Sequence, residues 1–160
     1  MTHKDIILKK NSVIVSMAER LGFLVEESSK MGVFQAGEDV RALVERRGVK
    51  GIYDFEYIEP RDSLHYRRSG LNHVICVIMS KKNIFWVINI RAIIETSGRQ
   101  RAVLIGRVRQ NISLCRKYKV QMRAGSFAES SEHLRSLHDV EALLKVLGMR
   151  DVEVKNLWKW

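Results

Sequence analysis

The chain has 160 residues, 46% of them hydrophobic, and a formal net charge of +10. That length fits one domain spanning residues 1–160 and buries a core without disulfide staples. No apolar run is long enough to cross a membrane, and Asp5, Lys9, Lys10, Glu19 and Arg20 interrupt the first twenty residues, so neither a membrane segment nor a secretory signal is read and a cytoplasmic protein is expected.

Helix-like and strand-like segments alternate along the chain. Residues 4–21 read as a helix closing at Gly22, and 23–26 and 32–36 as short strands. Residues 39–47 read as a helix with Val40, Leu43 and Val44 on one face. Residues 51–57 are rich in β-branched and aromatic side chains and read as a strand. A loop containing Pro60, the single proline, runs to about residue 69. Residues 70–82 form an apolar helix, and 84–91 a continuous apolar run of the kind a buried parallel strand shows. Ser97 can cap a long helix over 98–118. A strand at 120–124 and a helix at 137–147 ending at Gly148 follow, and the tail 149–160 has no clear periodicity. This order predicts an α/β fold, a parallel sheet with helices outside it.

The charge is unevenly placed. Residues 1–60 carry nine Lys/Arg against ten Asp/Glu, and residues 125–160 five against six. Residues 61–124 carry fourteen bases against only Asp62 and Glu95, a net of +12. A polyanion is the natural partner of such a stretch, because each neutralised phosphate releases counterions. On a helical wheel of 98–118, Leu104, Ile105, Val108, Ile112 and Cys115 share one arc facing the core. Arg99, Arg107, Arg109, Arg116 and Lys117 fall off that arc, Arg101 adds a sixth base, and the helix has no acid to pair with them. A merely solvated face would mix signs. Arg67 and Arg68 follow His65 and Tyr66 in a loop, a combination suited to base stacking and phosphate contact but also found in ordinary surface loops. Arg91, at the end of the run 84–91, reads either as an RNA or partner contact or as an ion pair with Asp54 or Glu95.

Catalytic patterns are missing. His3, His65, His73, His133 and His138 show no metal-ligand spacing, and no phosphate-binding glycine motif or nucleophile elbow occurs, so no cofactor and no metal are expected. Cys76 and Cys115 lie in apolar runs and read as buried thiols. His73 reads as a hydrogen-bonded core or interface residue. Asp54 stands at a strand end where barrel enzymes place chemistry, a weak signal alone. Trp158 and Trp160 are expected to dock on the core or on a partner.

Six segments in order carry a family likeness: Ser69-Gly-Leu-Asn-His73-Val; Met79-Ser-Lys-Lys-Asn83-Ile; Ile90-Arg91; Cys115-Arg-Lys-Tyr118; Leu134-Arg-Ser-Leu-His-Asp139-Val; and Leu147-Gly-Met149. Over roughly residues 48–149 the chain resembles protein component 3 of archaeal ribonuclease P, also found enlarged in the eukaryal enzyme. The resemblance implies a TIM-barrel-like fold and removal of the 5′ leader of precursor tRNA, with the RNA component as catalyst. It also implies partnership with the ribonuclease P RNA, with the ferredoxin-like component 2, and with components 1 and 4. Asn72-His73, Arg91, Arg135 and Asp139 fall on the family's motif positions. Ala92 replaces a usual proline, and Leu137-His138 replace Pro-Arg. The first half departs more. It reads as starting after the family's first strand, and residues 27–31 are too few for a parallel crossover, so the barrel is expected to be shortened, open or completed by a partner. Two other readings stand beside an RNA-bound scaffold subunit: a metal-dependent phosphoesterase of barrel type, and a module that binds an acidic protein.

Overall fold

The computed structural model describes residues 3–160. In chain order these form β1 (His3–Ile7), α1 (Ser12–Arg20), β2 (Phe23–Glu27), β3 (Val33–Gln35), α2 (Val40–Glu45), β4 (Gly51–Tyr53), α3 (His73–Lys82), β5 (Phe85–Asn89), α4 (Ile90–Glu95), α5 (Gly98–Tyr118), β6 (Met122–Gly125), α6 (Leu137–Val146) and α7 (Asp151–Val154). Every strand pairing is parallel. A four-stranded sheet runs β3-β4-β5-β6, and β1 and β2 form a separate pair. Among the described residues no helix is long and apolar enough to cross a membrane.

Alternation along each strand gives the four-stranded sheet two buried faces. Ile52, Trp86, Ile88, Met122 and Ala124 point outward into a core shared with Val44, Met79, Ile112 and Cys115 of the helices. Val33, Tyr53 and Val87 point the other way and meet Ile6 of β1 and Phe127 beyond β6. That second cluster is the interior of a curved, barrel-like wall. Its bore is narrow: a Cβ on Gly51 would stand 2.8 Å from a Val87 methyl, and one on Gly125 would stand 2.9 Å from the Phe127 ring.

The wall has a seam between β1 and β6. At one end the strands touch directly: Phe127 N–H donates to Ile6 O (2.8 Å) and Leu8 N–H to Ala128 O (3.1 Å). At the other end the tail lies between them, where Ala124 N–H donates to Leu157 O (3.3 Å) and Lys4 N–H to Trp158 O (3.4 Å). Trp158 is buried, and Trp160 packs edge-on against Phe85 at 6.0 Å between ring centres. The barrel is shortened, as expected, and residues 157–160 occupy this end of its seam. The short link after β2 needs no crossover, because β2 and β3 belong to different sheets. Ser28 simply bridges them, donating its N–H to Ile7 O and accepting from Val33 N–H, both at 2.9 Å.

Several boundaries differ from the sequence reading. Residues 4–21 are not one helix. A strand occupies His3–Ile7, and Asn11 starts α1 by accepting from Ile14 N–H at 2.9 Å. The strand expected over 51–57 stops at Tyr53, since Asp54 adopts a left-handed φ of 63° and a 3-10 turn follows. The apolar helix begins at His73 because Asn72 caps it, its side chain accepting from Ile75 N–H. Asn89 ends β5 by capping α4 through Ala92 N–H, so Arg91 rides on a helix rather than a strand end. Ser97 occupies the cap position of α5 but makes no side-chain capping bond. The tail includes the short helix α7.

Candidate nucleic-acid interface

The structure ties much of the basic segment to a single loop. Residues 56–69 leave and return at one point, where Gly70 N–H donates to Phe55 O (2.8 Å), and α5 clasps them from below. Arg107 is turned inward and nearly inaccessible. Its Nε donates to Asp62 (2.9 Å), and its Nη1 to the carbonyls of Glu56 (2.6 Å) and Glu59 (2.7 Å). One turn on, Asn111 donates to the Glu56 carboxyl (2.7 Å) and accepts from Ser69 Oγ (2.5 Å). Burial pushes the Glu56 carboxyl up to about 7 despite the bond from Asn111. Asp62 is the hub of the loop. It also accepts from Arg67 Nη1 (2.9 Å) and from Arg68 N–H (2.8 Å). Partial burial works against its ionisation, but those donors prevail and hold its pKa below the usual carboxylate value. Ser63 closes the tip through its backbone and side chain to Tyr66. This leaves Leu64 98% and Tyr66 58% exposed, with the Arg68 guanidinium 5.8 Å from the centre of the Tyr66 ring.

The six bases of α5 separate into two groups. Arg99, Arg101, Arg109 and Lys117 are exposed, and among the described residues no acid lies within ion-pair distance of them. Arg101 also donates to Ile94 O, and Lys117 sits over the Tyr118 ring. Arg107, expected on the basic face, is instead the loop's anchor. Arg116 is only half available, since Glu153 of α7 takes two of its donors at 2.7 Å each and Gly148 O a third. Arg67 pairs with Asp62 and lies flat on α5 at Gly106, where a Cβ would come within 2.8 Å of its Nε. A cleft of about 1070 Å³ runs between this loop and the first turns of α5, with Arg61, Arg67, Arg99 and Gln100 on its walls and Tyr57 and Glu59 beside them.

The barrel mouth is organised differently. Asp54 accepts from Gln35 (2.9 Å) and Asn89 (2.8 Å), and burial raises its pKa against those bonds. Arg91 does not pair with Asp54. It bridges Glu95 and Glu129, each at 3.0 Å, and also reaches Phe127 O. His133 completes the group: its Nδ1 accepts from Ser130 N–H, so its Nε2 donates to Glu95 at 3.0 Å. Arg91 is thereby an ion-paired rim residue. Arg135 donates to the carbonyls of Glu132 and Leu134, and Asp139 lies in the first turn of α6, capped by Ser136. His73, read as a core or interface residue, is exposed at the start of α3, so it is not part of the core. Among the described residues no three His, Cys, Asp or Glu side chains converge as metal ligands would.

Sequence reasoning passed over Asp62, Asn111, Glu56 and Arg123. A usable signal existed for the first, because Asp62 and Glu95 are the sole acids of the basic segment and each turned out to organise several bases. Arg123 is buried inside the barrel, with its guanidinium 4.3 Å from the Phe85 ring centre and bonded to the carbonyls of Lys159 and Met122. Burial lowers its pKa. Neighbouring lone bases on a strand carry no mark that distinguishes inward from outward.

Fold and surface together define an α/β barrel-like scaffold whose long outer helix presents uncompensated cations. No protein-family model matches the chain. It is 30% identical over 165 residues to ribonuclease P protein component 3 of Methanosarcina barkeri, covering 94% of this chain and 68% of that protein. With its counterpart in Methanosarcina acetivorans the identity is 31% over 140 residues, covering 81% of this chain and 58% of that one. A chain from a cryo-EM structure of archaeal ribonuclease P with mature tRNA shares the fold, with a TM-score of 0.57 at 16% identity, over 96% of this chain and 76% of that chain. The chain belongs to the ribonuclease P protein component 3 family.

Proposed function

We propose that this protein is a scaffold subunit that binds and stabilises the catalytic RNA of ribonuclease P during removal of 5′ leaders from precursor tRNA. The observation that carries this reading is the set of exposed cations Arg99, Arg101, Arg109 and Lys117 on one helix without an acid beside them. Arg99 to Lys117 spans roughly 27 Å of helix at 1.5 Å per residue, a length suited to following several phosphates of an RNA backbone. Arg68 extends the cationic surface from the loop. Arg67, Arg91 and Arg116, each already paired with an acid, contribute less, and Arg107 contributes by holding the loop. Membership of the component 3 family supports the enzyme context, and the ferredoxin-like component 2 is the protein partner that the family implies.

Changing Arg99, Arg109 and Lys117 together to Ala tests the reading by RNA binding across a salt series. The expected result is weaker binding to all RNA sequences and a shallower dependence of log affinity on log salt, by about 0.9 per lost duplex phosphate contact. Unchanged affinity at matched salt overturns it. Precursor-tRNA cleavage reconstituted from cognate RNA and proteins, with parent or variant chain, reports the consequence for processing.

A further inference from the structure

We infer that the tip of the 56–69 loop is a stacking site for an unpaired nucleobase of the bound RNA, with Asp62 and Arg107 as its positioning residues. The inference rests on the RNA-binding reading above and adds to it the kind of RNA element recognised.

Three observations carry it. First, the tip exposes what a folded protein ordinarily hides: Leu64 is almost wholly accessible, and Tyr66 is more than half so. Second, the backbone that carries the exposed ring is held in place. Ser63 fixes Tyr66 through its backbone and hydroxyl, Asp62 fixes the next two residues, and Arg107 fixes Asp62 and two carbonyls of the loop from within α5. The inward-turned Arg107 thus holds the backbone that presents a solvent-facing aromatic. Third, the ring carries a cation beside it, since Arg68 lies over Tyr66, with Arg61 and Arg67 on the adjoining cleft.

An aromatic face, a guanidinium plane and nearby cations are what an unstacked base and its phosphate require, whereas a continuous duplex keeps its base faces covered. A loop backbone already held in place also avoids part of the ordering cost that a flexible loop would meet on binding. An acidic protein segment would satisfy the cations but would have no use for the ring's exposed face.

The test uses the full chain and a single-stranded RNA of about eight nucleotides carrying 2-aminopurine, beside an abasic oligomer of equal charge. Tyr66→Ala is expected to weaken binding of the RNA about tenfold and to abolish the fluorescence quenching that stacking causes, while Tyr66→Phe retains both. The abasic oligomer should bind more weakly than the RNA and should not distinguish parent from Tyr66→Ala. Unchanged affinity and quenching in Tyr66→Ala, or equal binding of abasic and base-bearing oligomers, overturns the stacking site. If the α5 triple variant still loses affinity in that case, the RNA face on α5 stands without the stacking site. If neither variant changes binding, the RNA-binding reading fails with it.

Discussion

The four-stranded sheet and the β1–α1–β2 unit are both parallel and both buried, yet different forces hold them. The sheet is packed on two sides, with Trp86 wholly enclosed between strands and helices. The β1–α1–β2 unit has a smaller apolar core built on Ile7, Ile14, Ala18, Phe23 and Val25, and it borrows Ala128 and Leu134 from beyond β6. Its attachment to the sheet combines the packing of Ile6 against Val33, Tyr53, Val87 and Phe127 with a few polar links across the seam. One of them is a carboxylate with no access to water: Asp5 accepts from Ser126 N–H at 2.8 Å, and its second oxygen has no partner. Apolar packing of the sheet is cumulative, whereas closure of the seam adds single polar groups on which pH can act.

The largest expected effect tests the packed side of that contrast. Trp86→Ala should lower global stability by about 4 kcal/mol, read as a fall in urea midpoint at nearly constant m. A loss near 1 kcal/mol would mean that the sheet is not the dominant core. Next is the loop clasp. Arg107→Met leaves Asp62 without its buried partner and two carbonyls without donors, and should cost about 3 kcal/mol. Limited proteolysis should then cut within residues 56–69, and a variant that resists cleavage like the parent would show that the loop holds itself.

The seam gives the smallest effect and one of opposite sign. Burial raises the Asp5 carboxyl from 3.8 to about 6, against the bonds from Ser126. Because the folded value lies above the unfolded one, this group's contribution is favourable below about pH 4 and is lost as pH rises through about 6. The shift is worth on the order of 3 kcal/mol at pH 8. Asp5→Asn keeps an acceptor for Ser126 N–H and removes the buried charge, while its amide brings donors whose lost hydration costs about 1 kcal/mol. The variant should therefore be more stable than the parent by about 2 kcal/mol at pH 8, with the advantage gone near pH 4. A pH-independent difference in thermal midpoint would show that Asp5 does not titrate in the seam.

What could be read from the sequence follows the same division. The buried run around Trp86, the bounds of α5 and the end of α6 at Gly148 were legible because neighbouring residues decide them. The strand β1 was not, since Ile6, Ile7 and Leu8 followed by Val13, Ile14 and Val15 mimic a helical stripe. The break lies in Lys9, Lys10 and the cap Asn11, and the strand itself is selected by partners at the other end of the chain. In the candidate interface, the excess charge was legible and the accessible set of bases was not. A wheel places Arg107 away from the core arc, but the loop carrying Asp62, 45 positions earlier, builds a second buried surface there.

The segment lodged between β1 and β6 has a consequence for how the chain matures. β1 receives part of its backbone pairing from Trp158, far along the chain, and its Asp5 meets a donor 121 positions away. Until that segment docks, the Lys4 end of β1 presents an unpaired edge, the kind of surface that recruits strands from other molecules. A chain interrupted before Leu157 would keep that edge, so faulty or incomplete copies would be marked by stickiness rather than by loss of the helical layer.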